Sequence, residues 1–473
     1  MTRLLMFILH FKKHFLIYLI FLTALMLRLL FMSPYLEDWD SVQFALALHD
    51  FSIVKHQPHP PGYPLYVLMG RWIDLFFNDP AKSLGLLSAF LGAATTIPIF
   101  LLAKKMFDQT TGIVAALLLT FTPVEWMLSG VALTNVPGLF FISTLALLIF
   151  NSSNNYKLLL LSSFLSGLVL GVRFTEAPIL VTLLALVVVK QKLKNILPVT
   201  LLFLLGLGVW IIPIIAVTGL SEFMAAYGWI AKYIITHDSL LGQSSPVSFL
   251  PERLKALWYL LKISYTKYFV ILGFLAILLI FIQKSLRYQW RYIFLTAWLL
   301  SYLLPLIFIY NLEVPRYTLP LSAPLSIIVT SILINMVKRK LLLLPIFISL
   351  AVVLFNQSWS QVTRFHKTVP PTIAIVDYVK SNFNPKEVTI IATFTYRQFQ
   401  YYAPGYQVYY GDNLSTTAIS PDKKIIIDHY ELKEKVINSS NLALLETKNF
   451  AGDKDIFSRI PVINLYILGF NKH

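Results

Sequence analysis

The chain of 473 residues is 57% hydrophobic and only 13% charged, with a mean hydropathy of +0.70, whereas a soluble domain carries roughly 25% charged residues. These values exclude a soluble globular protein and indicate a polytopic membrane protein. Cysteine is absent, which excludes a disulfide framework, a thiolate metal site and a cysteine nucleophile. The net charge of +16 is explained by basic residues at the ends of hydrophobic runs rather than by nucleic-acid binding.

Arg3, Lys12 and Lys13 precede an apolar run at 15–32. At about 18 residues it is long enough to span, and no small-residue cleavage site follows, so it reads as an uncleaved signal anchor with a cytoplasmic N-terminus. Further apolar segments fall near 81–103, 112–128, 133–150, 157–171, 175–189, 195–217, 264–283, 291–310, 317–337 and 341–356. With the first, they predict about eleven transmembrane helices. Basic charge alternates between the connections. Lys104 and Lys105, Lys157, Lys190, Lys192 and Lys194, Lys284, Arg287 and Arg291, then Lys338, Arg339 and Lys340 fall on one side, against Lys55, Arg173 and Arg316 on the other. This positive-inside pattern places the stretch after the first span on the outer face of the plasma (inner) membrane. The segment 64–77 is apolar but about 14 residues long and holds Arg71 and Asp74. It is too short to cross and is predicted to be a helix lying in the interface.

Two larger outer regions remain. The loop at 218–264 opens with FMAAYGWIAKYI, whose aromatics suit an interfacial helix. The tail beyond 356 carries β-rich runs at 388–392, 407–410, 424–427 and 462–468, with a helical pattern at 373–381. It has no glycine-rich phosphate loop. The expected architecture is therefore an all-α polytopic membrane protein over residues 1–356, with outer loops at 34–80 and 218–264. Residues 357–473 are expected to form a small soluble α/β domain on the extracytoplasmic face.

The stretch from Glu37 to Arg71 carries the unusual chemistry. It gathers Glu37, Asp38, Asp40 and Asp50 with His49, His56 and His59 in otherwise apolar surroundings, and ionisable clusters at a membrane face usually mean chemistry or ions. An enzyme on the outer face has no supply of ATP or nucleotide sugars, so its activated donor is a lipid with a phosphate leaving group. Such a transfer needs a carboxylate to take the proton of the acceptor hydroxyl and cationic or hydrogen-bonding groups to hold the departing phosphate.

An acidic cluster straight after the first span, HPPGYPLY from His59, and the late PRYTLPLSAP from Pro315 resemble the membrane-embedded GT-C glycosyltransferases. The chain is most similar, over roughly residues 15–340, to bacterial relatives of the protein O-mannosyltransferases and the lipid A aminoarabinose transferases. The resemblance implies a GT-C fold, a polyprenyl-phosphate-linked sugar as donor, and a hydroxyl acceptor on a protein, glycan or glycolipid. The family's first-loop aspartate falls on Asp40, which makes Asp40 the candidate catalytic base. Ser41 stands where the family carries a second acid, leaving Asp38 or Glu37 as substitutes; the bland reading of both is helix capping. His59 occupies the place of a phosphate-holding lysine and can donate to phosphate, or can simply pack in a proline turn.

Arg173, in LGVRFTEAP, reads as a phosphate ligand or as a plain ion pair with Glu176. Arg316 matches the family's Arg-Tyr pair and reads as a second phosphate contact or an interfacial anchor. Glu125, in TPVEWML, is costly in a span unless it faces a polar cavity, and is counted with the substrate-binding candidates. Asn135 stands where relatives carry aspartate. No metal site is assigned. A divalent cation would draw on the histidines with Asp38 and Asp40, but their spacing matches no metal motif. The leading expectation is an inverting sugar transfer with Asp40 as base. The alternatives are a flippase of lipid-linked saccharides, which would need mid-membrane ionisable residues and broken helices in matched halves, and a receptor with a sensory tail. Deleting the tail and substituting Asp40 would separate enzyme from sensor.

Overall fold

The computed structural model describes residues 2–242, 246–337, 339–411, 423–439, 442–454, 456–457 and 460–470. The chain divides into two compact units, Met1–Met32 with Ala47–Thr363, and Ser33–Leu46 with Arg364–His473.

The first unit is built of helices. Among the described residues of the whole chain seven helical stretches are long and apolar enough to cross a membrane: Pro80–Met106, Asn135–Asn154, Phe174–Gln191, Leu193–Thr218, Trp290–Phe308, Pro315–Met336 and Lys340–Asn382, the last made of the helices Leu343–Lys367 and Pro371–Asn382. Counting the pair Phe249–Tyr265 and Lys267–Ile282, bent by 111°, as one broken span makes eight. The expected count of about eleven is not reached. The segments expected at 112–128 and 157–171 form the shorter apolar helices Gln109–Thr120 and Tyr156–Val169, while 15–32 falls in the 29-residue helix Thr2–Leu30. The physical reason is clearest at 112–128, where Pro123 begins a separate short helix, Pro123–Leu128. What remains, Gln109–Thr120, has 12 residues and reaches only about 18 Å at the helical rise, against a hydrocarbon core of about 30 Å.

Pro64–Phe77 is the helix predicted from the sequence. Gly62 (φ 98°) and Tyr63 (φ 46°) both adopt the left-handed region just before it, and Pro64 follows at the first helical position, where a missing N–H costs nothing. Tyr66, Val67 and Gly70 are buried, whereas Leu75 and Phe76 are more than 80% exposed, so the helix presents an apolar outer side. The loop opening at 218 contains the helix Leu220–Tyr233, with Met224 and Trp229 exposed. Tyr156–Val169 and Ile196–Thr218 cross at Gly167 and Gly206, where an added Cβ would lie 2.8 Å from the Leu207 and Leu168 backbone nitrogens respectively. Trp210 Nε1 donates to the Gly167 carbonyl at 3.1 Å across the same crossing. This is the small-residue backbone approach typical of helices packed in membranes.

The second unit holds a five-stranded mixed sheet: β1 (Val388–Ala392), β2 (Val408–Tyr410), β3 (Lys424–Ile427), β4 (Leu442–Ala451) and β5 (Val462–Phe470), in the order β2-β1-β3-β5-β4. β1 is parallel to β2 and β3, while β5 is antiparallel to β3 and β4. Side-chain alternation splits the core. Ile390, Ala392 and Ile426 pack with Ile375, Val376 and Val379 of the helix Pro371–Asn382, and Ile391, Ile425 and Ile427 pack with Leu432 and Val436 of the helix Tyr430–Ser439. Asp428, just past β3, accepts from the Thr393 N–H (2.7 Å), the Thr395 N–H (2.7 Å) and the Thr395 hydroxyl (2.8 Å), which ties the carboxyl ends of β1 and β3 together. Burial pushes its carboxyl above the usual range, against the pull of these donors.

The segment Ser33–Leu46 is fastened to this sheet domain. The Leu36 N–H donates to Tyr402 Oη at 2.8 Å, and the Glu37 carbonyl accepts from Gln398 Nε2 at 3.0 Å and from Thr372 Oγ1 at 3.4 Å.

Candidate active site

In the first unit the polar candidates gather at short loops between helices. Arg173 lies in extended backbone before the turn Phe174–Glu176 and is buried. Its Nη1 donates to Thr134 Oγ1 at 2.9 Å, and its Nε stands 3.8 Å from Glu176 Oε1. Neither Arg173 Nε nor Glu176 Oε1 makes a hydrogen bond among the described residues. Gly138 leaves room for the pair, since a Cβ there would lie 2.8 Å from Arg173 Cδ and would collide with the Glu176 carboxylate.

Arg316 is buried too, and Asn135 Nδ2 donates to its carbonyl at 3.2 Å. The two guanidiniums share one ring: the Arg173 Cζ is 6.0 Å and the Arg316 Cζ 5.6 Å from the Tyr317 centroid, within cation–π range. Tyr317 stacks on Tyr310 at 5.6 Å, and Tyr310 meets Tyr302 at 5.6 Å. The Tyr310 hydroxyl donates to the Thr175 carbonyl at 2.9 Å.

The proline-rich stretch is joined to the same loop, because the Leu65 N–H donates to the Gly171 carbonyl at 3.1 Å. His59 Nε2 is 3.1 Å from Tyr63 Oη. The structure thus brings together Arg173, Arg316 and Asn135, with the stretch that carries His59 joined to the neighbouring loop at Gly171.

The other histidines are engaged elsewhere. His49, largely exposed, faces Asp74 at 3.5 Å, and the His56 ring meets Trp229 edge-on at 5.2 Å. Among the described residues no group of three or more His, Asp or Glu side chains is placed to hold a metal ion.

Glu125 calls for a correction. Expected to require a polar cavity, it is wholly buried in an ion pair with Arg28. Its Oε1 also accepts from Ser129 Oγ at 3.1 Å, while Arg28 donates further to the carbonyls of Ala24 (3.0 Å) and Thr120 (3.3 Å). The cost of a carboxylate in a span is met by a cation on another helix, which a local reading of TPVEWML does not reveal.

Asp38 and Asp40 stand in the second unit. Asp38 Oδ1 accepts from the Asp40 N–H at 2.9 Å at the start of the helix Trp39–Ala47. Asp40 occupies the first turn of that helix and is half-buried. Around them are residues the sequence did not single out. Trp39 stacks with Tyr396 (6.2 Å between centroids) and meets Tyr410 (5.9 Å), Tyr396 and Tyr410 are 5.4 Å apart, and the Arg397 Cζ is 5.6 Å from both Trp39 and Tyr396. Burial holds the Arg397 guanidinium below its usual pKa.

Residues 40–196 match the family described as the protein O-mannosyl-transferase TMEM260 N-terminal domain. No curated protein matches the sequence. Among solved structures, the chain is similar to ArnT from Cupriavidus metallidurans bound to undecaprenyl phosphate, at 11% identity and a TM-score of 0.56, with 96% of this chain and 98% of that one covered. It is also similar to the oligosaccharyltransferase of Archaeoglobus fulgidus in the apo form (12% identity, TM-score 0.55, 88% of this chain and 70% of that one). The same enzyme in complex with an inhibitory peptide and a dolichol-phosphate matches at 12% identity and a TM-score of 0.54, over 88% of this chain and 70% of that one. In its peptide-tethered form only 64% of that enzyme's length is spanned. The chain has the fold of the GT-C superfamily of membrane glycosyltransferases. It is a multi-pass membrane protein with a small C-terminal sheet domain.

Proposed function

We propose that this protein is a glycosyltransferase that moves a sugar, a mannose or another hexose, from a polyprenyl-phosphate donor to an acceptor hydroxyl on the extracytoplasmic face. The observation that carries the reading is the pair of buried guanidiniums flanking Tyr317, with Arg173 Nε making no hydrogen bond among the described residues. Buried cations in a membrane protein require anionic partners, and a lipid phosphate is a partner of matching geometry for arginine. ArnT, solved with undecaprenyl phosphate, and the archaeal oligosaccharyltransferase, solved with a dolichol-phosphate, share this fold and support such a donor.

In the reaction the acceptor oxygen attacks the anomeric carbon as its proton passes to Asp40. The bond from that carbon to the phosphate oxygen breaks, and its electron pair leaves with the phosphate. Arg173, Arg316 and His59 stabilise the charge that develops there. One displacement inverts the anomeric configuration.

The test is transfer of label in membranes supplied with radiolabelled polyprenyl-phosphate sugars, comparing wild type with Asp40→Asn at equal expression. Loss of a general base typically costs about 10²–10⁴-fold in rate, so label is expected to reach an acceptor with the wild type and to fall by that order in the variant. Equal transfer by both removes Asp40 from the mechanism and shifts attention to Asp38.

A further inference from the structure

The carboxyl edge of the sheet domain gathers a second set of groups that the donor chemistry does not use. β1 lies between β2 and β3, and all three are parallel. The carboxyl ends of β1 and β2 therefore lie side by side along one edge of the sheet.

Tyr410 ends β2, in register with Ala392 at the end of β1. Tyr396 and Arg397 open the helix that follows β1. Trp39, brought in by the segment fastened through Leu36 and Glu37, completes the set. Its ring and those of Tyr396 and Tyr410 lie within 6.2 Å of one another and are half-buried. Arg397, nine-tenths buried, backs two of the three rings, and its Nη1 is directed to Gln400 Oε1 at 2.8 Å. Rings that served only as core would be closed off by apolar side chains; these keep part of their surface open at the strand ends.

Half-open aromatic faces backed by a guanidinium suit a saccharide, whose C–H faces pack on rings while its hydroxyls reach polar groups. Trp39 adjoins Asp38 and the candidate base Asp40 in the chain.

Building on the proposed function, we infer that Trp39, Tyr396 and Tyr410, backed by Arg397, form an acceptor subsite for a saccharide, which makes the acceptor a glycan or glycolipid rather than a protein hydroxyl.

The test measures binding without any donor, so that its failure is separate from failure of the transferase reading, which is scored by release of label from polyprenyl phosphate. Full-length protein in lipid nanodiscs is titrated with fluorescent mannotriose, maltotriose and chitotriose, and with a Ser/Thr-rich peptide. At least one saccharide is expected to bind. Tyr410→Ala and Tyr396→Ala should weaken that binding about tenfold or more, the scale of ring stacking on aromatic side chains, whereas Tyr410→Phe, which keeps the ring, should retain it. Undecaprenyl phosphate binding should be unchanged in all three variants, and retention of saccharide binding by Tyr410→Phe separates loss of the ring from loss of the fold. Binding of none of the saccharides, equal binding by the alanine variants, or binding of the peptide alone with loss on the same substitutions would overturn the assignment.

Discussion

Two buried Arg–Glu pairs in the first unit differ in how completely they are satisfied. Arg28 and Glu125 are sealed, with the Ser129 hydroxyl and two backbone carbonyls taking up further hydrogen-bonding capacity. Arg173 and Glu176 are held at 3.8 Å, and each keeps a buried polar atom without a hydrogen bond among the described residues. A sealed pair serves the fold, because every group has a partner in the resting protein. A loose pair serves a ligand, because an anion that takes up its spare donors is bound more strongly than water would be in the same low-dielectric surroundings.

The largest effect should come from breaking the sealed pair. Arg28→Ala or Glu125→Ala alone leaves an uncompensated buried charge, expected to cost about 3–5 kcal/mol of stability, measured as thermal unfolding in detergent. Replacing both at once with Met and Leu should recover most of the loss and keep transfer activity, since a satisfied apolar pair is close to neutral.

The loose pair should behave oppositely. Arg173→Gln is expected to cost less stability than Arg28→Ala but to lower kcat/KM for the polyprenyl-phosphate sugar about ten- to hundredfold, the loss of one or two hydrogen bonds to a charged group. A collapse of stability comparable to that at Arg28 would make the two pairs equivalent and remove the argument for a ligand. The smallest change is Gly138→Ala, whose methyl would crowd Arg173 Cδ at 2.8 Å. It should cost about 1–3 kcal/mol as an overpacking defect and should raise KM for the donor, read from the same transfer assay.

Much of the fold was legible because it rests on local patterns. Pro64–Phe77 could be delimited from its length, its proline start and its interrupting Arg71 and Asp74, and β1 and β3 from short apolar runs. β4 was missed because its register shifts between Leu444 and Glu446, which breaks the period of two that announces a strand, and because its outward residues include Glu446 and Lys448. The polar loops were legible as residues but not as partners. Arg28, inside an apolar run, was not singled out, and nothing local links it to a glutamate 97 positions away. Arg173 with Glu176 was visible because the two are three residues apart. The cluster at the sheet edge was invisible, since it joins position 39 to positions 396–410 and only tertiary structure brings those together.

That joining changes what can be learned by cutting or exchanging pieces of the protein. Because Ser33–Leu46 folds with Arg364–His473, removing the tail also strips residues 33–46 of the surface that shapes them, so truncation cannot tell an enzyme from a sensor. A chimera that borrows the C-terminal domain from a relative would have to borrow residues 33–46 with it. Two segments some 330 positions apart in the chain are in effect a single folded module, and substitutions in one are expected to couple to substitutions in the other.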